Sequence, residues 1–209
     1  MSNNLNASSV NFNIETRSTY IMPIVDEQIT DTYVDWLNDK KINEFLEVRH
    51  VTQTKQTVID YINTLRNTDG CDMFAVFSKK SDVHLGNLTI TCFDRNGNGA
   101  ADFGIMIGDE VARSRGVGAE VHIAFLEFIF SFKSIDRVNG NAASNNLIAC
   151  KTLESIGYTK EGVRRNFFPL ENGGKCDVHL YGYLKDEWFQ RRTRLSAFVN
   201  NVKIVKMQR

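Results

Sequence analysis

Between residues 117 and 132 the apolar side chains Val117, Val121, Ala124, Phe125, Phe128, Ile129 and Phe132 recur at spacings of three and four. That period predicts a long amphipathic helix from about Gly116 to Phe132. The same spacing at Val58, Ile59, Ile62 and Leu65 predicts a helix over Thr54 to Leu65, and Asn145 to Ile156 reads as another that closes at Gly157. Two short helices are expected at Asp31–Asn38 and Ile42–Val48, with Tyr33, Val34, Trp36, Leu37, Ile42, Phe45 and Leu46 gathered on one side.

Runs of β-branched and aromatic residues mark strands at Ser18–Val25, Met73–Lys79, His84–Phe93, Ala100–Gly108, Arg137–Ala142, Tyr158–Leu170 and Cys176–Leu184. Pro23 places the first of these at a sheet edge, or ends it. Turns fall at Lys79–Asp82, at Asp94-Arg95-Asn96-Gly97-Asn98-Gly99, where Asn and Gly tolerate positive φ, and at Glu171-Asn172-Gly173-Gly174. Residues 1–17 are read as disordered or as an edge strand, since Val10, Phe12 and Ile14 alternate only weakly. The chain after Lys185 is read as helical and basic.

The order is strand, helices, three-strand meander, helix, strand, helix, hairpin, with no internal repeat. It describes an α/β (α+β) mixed sheet with one parallel crossover after the meander.

Composition narrows the function classes. The 209 residues are 42% hydrophobic and 24% charged, ordinary for a globular chain able to bury a core without disulfides or metals. The formal net charge of zero gives no global pull toward nucleic acid or an anionic membrane. Residues 1–16 are rich in Asn and Ser and lack the apolar stretch of a secretion signal, and no segment has the length of a membrane span. Cysteines at 71, 92, 150 and 176 are dispersed, which argues against a metal site and a disulfide framework and for a reducing, cytoplasmic setting.

The chemistry concentrates at Arg113-Ser114-Arg115-Gly116-Val117-Gly118, just ahead of the long helix. Glycines allow a tight turn and close approach of a ligand to the backbone. The free N–H groups and positive end of the helix suit an anion. A plain tight turn is the competing reading. A dinucleotide-binding turn fits poorly, because the third glycine would fall at Val121 and a meander, not a βαβ unit, precedes it. A Walker-type loop fails for want of Gly-Lys-Ser/Thr.

Arg113-x-x-Gly116-x-Gly118 between meander and helix resembles the Gln/Arg-x-x-Gly-x-Gly/Ala motif of the GNAT acetyltransferase superfamily. A second match is Asn146-x-x-Ala149, then Leu153-Glu154-Ser155-Ile156-Gly157-Tyr158 and Glu161-Gly162, similar to the ribosomal-protein and polyamine branches. A third is Arg164-Arg165-Asn166-Phe167-Phe168-Pro169 with Asp177 beyond the turn. The resemblance spans Thr19 to Trp188. It implies the acyl-CoA N-acyltransferase fold, with a central mixed sheet, flanking helices and a C-terminal hairpin. The corresponding division is a domain at 18–188, a leading segment at 1–17 and a basic tail at 189–209.

By that resemblance acetyl-CoA is the co-substrate and no metal is required. The N–H groups from Arg115 to Ala119, including Gly116, Val117 and Gly118, would hold its pyrophosphate. Arg113 and Arg115 would add charge, with Ser114 between them. Met106, Ile107 and Gly108 would splay at a bulge and pair with pantetheine, and a backbone N–H near Ile107 would face the developing oxyanion. Asn146 would contact pantetheine while also starting a helix, and Lys151 would reach the adenosine phosphates if it is more than a surface lysine.

The candidate general base is Asp102, where some relatives carry a glutamate; an outward-facing surface aspartate is the alternative. The tyrosine that relatives use to protonate the thiolate is replaced by Leu153, and a glutamate of the ribosomal-protein branch by Asn141. Tyr158 is either a substitute acid or a core residue. No catalytic or metal-ligating role is assigned to the histidines. For the acceptor, Arg49 and His50 would suit the phosphates of an amino-sugar nucleotide, Glu44 and Glu47 the charge of a polyamine. A protein N-terminus would want an open groove. A small-molecule amine is favoured over a protein, and a non-catalytic acyl-CoA-binding module is the competing class. No nucleic-acid or membrane partner is expected, the basic tail being read as a solvated helix face, and a homodimer is left open.

Overall fold

The computed structural model describes residues 12–93, 97–132, 134–171 and 173–206, and shows one nine-stranded mixed sheet with helices on both faces. Strands β1 (Phe12–Glu15) and β2 (Thr19–Pro23) are followed by helices α1 (Asp31–Asn38), α2 (Lys40–Asn43) and α3 (Lys55–Arg66). The meander is β3 (Asp72–Ser78), β4 (His84–Phe93) and β5 (Ala100–Ile107). Then come α4 (Glu110–Ser114), α5 (Val117–Phe130), β6 (Arg137–Ala143), α6 (Leu147–Ile156) and the hairpin β7 (Thr159–Pro169) and β8 (Lys175–Leu184). The chain closes with α7 (Lys185–Arg191), α8 (Ser196–Val199) and β9 (Lys203–Lys206).

The sheet order is β7-β8-β6-β5-β4-β3-β2-β1-β9, antiparallel throughout except for the parallel pair β5–β6. α5 and α6 pack on one face, where Phe125, Leu126 and Ile129 of α5 are fully buried and Cys150, Leu153 and Ile156 of α6 join them. α1 and α3 pack on the other, through Tyr33, Trp36, Leu37, Val58, Ile62 and Leu65. Local chemistry starts these helices: Thr30 accepts from the Tyr33 N–H, and Thr54 with Thr57 forms a reciprocal capping box. Gly157, at φ 126°, ends α6.

Several expectations change. The strand at Phe12–Glu15 is not an edge: it lies between β2 and β9. Val10 falls outside the described residues, as do Asp94, Arg95 and Asn96 of one expected turn and Asn172 of another, whereas Gly97 and Gly99 have the positive φ anticipated for them. Pro23 ends β2, which is interior. The helix expected over Ile42–Val48 is instead α2 followed by a 3-10 turn at Glu47–His50. The segment after Lys185 is helical to Val199 and then adds β9 to the sheet, covering the open edge that β1 would otherwise present.

Candidate active site

β5 and β6 pair over only three residues, Ala100↔Arg137, Ala101↔Val138 and Asp102↔Asn139. Beyond that point each stays bonded to its outer neighbour, β5 to β4 as far as Ile107↔Gly86 and β6 to β8 as far as Ala143↔Val178. The two strands therefore open a wedge toward their C-terminal ends, where ligands of α/β sheets characteristically sit. The Gly108 N–H donates to the Leu85 carbonyl at 2.9 Å. By antiparallel alternation, the backbone groups of Phe103, Ile105 and Ile107 point the other way, into the wedge.

The bulge expected at Met106–Gly108 is absent from that stretch. The β4–β5 register runs unbroken from Ile90↔Phe103 to Gly86↔Ile107, and the wedge forms because β6 diverges. The register shift instead falls between Ile90 and Cys92, where the extra Thr91 lies beside the Asp102 pairing. Gly108 is glycine for a packing reason: a Cβ there would lie 1.9 Å from Cδ2 of Trp36 on α1.

At the wide end of the wedge the expected strand-to-helix junction contains α4, capped by Asp109, whose Oδ1 accepts from the Ala112 N–H at 2.7 Å. Gly116 then takes φ 75°, a conformation that strains other residues, and starts α5. Not all N–H groups from Arg115 to Ala119 are available. Arg115 donates to Val111 and Ala112 (both 3.2 Å), Gly116 to Arg113 (3.3 Å) and Ala119 to Gly116 (3.1 Å).

Only Val117 and Gly118, among these, have N–H groups without a backbone partner among the described residues. A Cβ at Gly118 would meet nothing closer than Ile107 Cγ1 at 3.6 Å, so the space beside Gly118 is open. Arg115 and Ser114 are exposed, and the Ser114 hydroxyl donates to Val111. Arg113 is exposed too, and its Nη1 donates to the Ile107 carbonyl at 3.4 Å. Asn146 caps α6, its Oδ1 accepting from the Ala149 N–H at 3.1 Å, and Lys151 is exposed one turn later.

At the narrow end stands Asp102, half-buried, its Oδ1 accepting from Asn139 Nδ2 at 2.6 Å. Asn139 Oδ1 in turn accepts from Arg137 Nε at 2.5 Å, and Arg137 binds the Glu161 carboxylate at two points. Each of the pair holds the other charged: the Glu161 hydrogen bond raises the Arg137 pKa, and Arg137 lowers that of Glu161. Asp102 is thus tied to β6 and, through it, to β7. Gly104, two residues on, is exposed with nothing within 4 Å of a Cβ position, and Asn141 is exposed on β6.

Tyr158 proves to be a core residue. It is 5% exposed, its hydroxyl shares a 2.9 Å hydrogen bond with His122 Nε2, and burial pushes its pKa up. Burial also lowers the His122 pKa to about 3. Leu153 is buried, with methyls 3.6 Å from a Cβ position at Gly140. The linkage of Asn139 and Arg137 to Asp102 escapes sequence reasoning, because it joins strands 37 residues apart that only the parallel pairing brings together.

The acceptor rim differs from expectation in one respect. Arg49 is committed to structure: Nη1 donates to Leu46 O at 2.7 Å, Nη2 to Pro169 O at 3.2 Å, and the guanidinium lies 4.2 Å from the Phe168 ring centroid. Phe45 packs on Phe168 at 6.2 Å and Lys40 pairs with Glu171 at 3.4 Å, so the α2 region is clamped to the β7–β8 hairpin. Glu47 and His50 are exposed, and His50 with Asn38, Asn43 and Glu171 lines a cleft of about 250 Å³. The last hairpin, which the family resemblance places on this rim, reaches it through Phe168, a contact the sequence alone does not specify.

Among the described residues no group of three or more His, Cys, Asp or Glu side chains could hold a metal, and no helix is long and apolar enough to cross a membrane. Residues 19–159 match the family model described as acetyltransferase (GNAT) domain. The uncharacterized N-acetyltransferase p20 of Bacillus licheniformis is 22% identical over 160 residues, 76% of this chain and 88% of that protein. The spermidine N-acetyltransferase of Vibrio cholerae, solved with CoA and spermine, superposes with a TM-score of 0.71 at 16% identity, over 82% of this chain and 98% of that one. The ribosomal-protein-S5-alanine acetyltransferase of Vibrio fischeri does so with a TM-score of 0.67 at 16% identity, over 84% and 98%.

Proposed function

Because the chain belongs to the GNAT acetyltransferase family, an N-acetyltransferase in kind, we propose that it takes acetyl from acetyl-CoA and passes it to the primary amine of a small metabolite. An amino-sugar nucleotide or a polyamine is the class of acceptor intended. The observation that carries this reading is the wedge between β5 and β6, with open N–H donors at its wide end and a carboxylate at its narrow end.

The pyrophosphate of acetyl-CoA lies against the Val117 and Gly118 N–H groups, with the positive end of α5 behind them. The pantetheine arm pairs with the backbone of β5 that faces the wedge, and Asn146 flanks it from α6. The spermidine N-acetyltransferase of Vibrio cholerae, solved with CoA, supports the same cofactor here. Glycine at 118 keeps the approach clear.

Three demands fall on the chain. Asp102, through a chain of bridging waters, takes the proton that the acceptor ammonium must lose before its nitrogen can attack. The Ile107 N–H, aimed into the wedge, meets the thioester oxygen as it gains negative charge, a contribution of about 2.7–4 kcal/mol per well-placed donor. The new C–N bond forms as the C–S bond breaks, and the sulfur departs as thiolate, since Leu153 and the buried Tyr158 supply no proton. The second proton of the attacking nitrogen passes to that thiolate or to water.

The clamp of Arg49 and Phe168 across the rim favours a small acceptor over a polypeptide end, which needs an unobstructed groove. Thiol release from acetyl-CoA over a panel of amino sugars, polyamines and N-terminal peptides tests this reading. Turnover on a small amine, with Asp102→Asn slowed about 10²–10⁴-fold at unchanged acetyl-CoA affinity, is expected. Turnover on peptides alone would overturn the acceptor class.

A further inference from the structure

We propose that Asn139 is a positioning residue for Asp102, itself oriented by the Arg137–Glu161 pair, so that a relay of four residues, drawn from three strands and crossing a fourth, aims the base. The inference rests on the reading of Asp102 given above. A carboxamide has a donor end and an acceptor end, and which one faces a neighbour is decided by the rest of its environment. At Asn139 the choice is forced. Arg137 Nε–H can only donate, so it claims Oδ1 at 2.5 Å and leaves Nδ2 to face Asp102 Oδ1 at 2.6 Å.

Arg137 is fixed in turn by two bonds to Glu161, at 2.9 Å from Nη1 to Oε1 and again from Nη2 to Oε2. Two parallel N–H···O bonds lock the plane of the guanidinium, and with it the direction of Nε. The pair crosses β8 at Gly182, which pairs with Asn139 on one side and Thr159 on the other. A Cβ at that position would lie 2.4 Å from Arg137 Nη2 and 2.4 Å from Glu161 Oε1, so the strand is bare where the ion pair needs room.

The interposed amide also has a chemical consequence. A guanidinium bonded directly to Asp102 would engage both carboxylate oxygens in an ion pair. The neutral amide holds one oxygen and fixes the side-chain rotamer, while Oδ2 takes no hydrogen bond from the described residues and is left for the bridging waters. Glu161, the acidic residue of the Glu161-Gly162 pair in the sequence, thereby acquires a role at a distance from the reacting atoms.

The test is a double-mutant cycle on kcat with an amine the enzyme accepts, using Asp102→Asn, Asn139→Leu and the double variant, with acetyl-CoA affinity measured by calorimetry for each. Asn139→Leu is expected to lower kcat at least 10-fold with acetyl-CoA binding unchanged. The double variant should be no slower than Asp102→Asn alone, because a residue that acts through Asp102 has nothing left to act on.

Arg137→Lys keeps the charge opposite Glu161 but lacks the Nε donor. It should lower kcat in the same way with an unaltered circular dichroism spectrum, so a folding defect in Asn139→Leu would not leave the question open. Wild-type kcat in Asn139→Leu and Arg137→Lys, or a double variant slowed by the product of the single effects, overturns the relay. Wild-type kcat in Asp102→Asn overturns the base itself, a failure separately visible in the single variant.

Discussion

His122 sits in the middle of α5, buried between the sheet and the Tyr158 hydroxyl, with the Phe103 ring 4.8 Å away. Burial lowers its pKa from 6.5 to about 3. The folded protein therefore holds this imidazole neutral over a range in which the unfolded chain protonates it. The sign follows directly: with the folded value depressed, the stability is fully present above pH 6.5 and is lost as pH falls toward 3. Each pH unit of that window costs about 1.4 kcal/mol, so the loss between pH 7.5 and 5.0 is about 2 kcal/mol.

His122→Gln keeps a polar group beside Tyr158 and cannot titrate. Urea unfolding of both proteins at pH 7.5 and 5.0, with slopes compared to confirm an unchanged unfolded state, should show wild type losing about 2 kcal/mol more than the variant. In thermal unfolding the same difference is about 4–8 °C for a chain of this size. Other titrating groups, including His84, whose pKa is also lowered by burial, are common to both proteins and cancel in the comparison. Equal pH dependence in the two would refute the claim that this histidine is buried neutral.

Two further outcomes are expected. Gly118→Asp should fold and melt as wild type, since its Cβ meets only Ile107 Cγ1 at 3.6 Å, yet lose acetyl-CoA affinity at least 10²-fold by placing a carboxylate where a pyrophosphate docks; calorimetry showing unchanged affinity would remove this helix end from the binding site. Arg49→Ala should cost about 2 kcal/mol of stability in denaturant unfolding, from two lost bonds to carbonyls and a lost contact over Phe168, and a stability within 0.5 kcal/mol (about the scatter of neutral surface changes) would return Arg49 to the list of free phosphate ligands.

Periodicity alone placed most of the elements, because burial of a face leaves a mark every 3.6 or 2 residues whatever the partner. Helix α1 and strand β4 fall at the boundaries read from the chain. The glycine bend was legible too, since positive φ at residue 116 is a demand on one residue type. The stretch at 42–48 was misread for a corresponding reason. Its apolar residues face two different partners, Ile42 the α1–α3 cluster and Phe45 the hairpin through Phe168, so no single helical face describes them.

By itself the sequence determined the element order, the chemistry of the bend at 113–118 and the presence of a carboxylate on β5, all properties of neighbours along the chain. Tertiary structure alone decided that Arg49 clamps the rim to the hairpin and that Asp102 faces Asn139. The first depends on the approach of Pro169 and Phe168 to the α2 region, the second on the parallel pairing of β5 with β6. Contacts between segments tens of residues apart leave no periodic trace in either one.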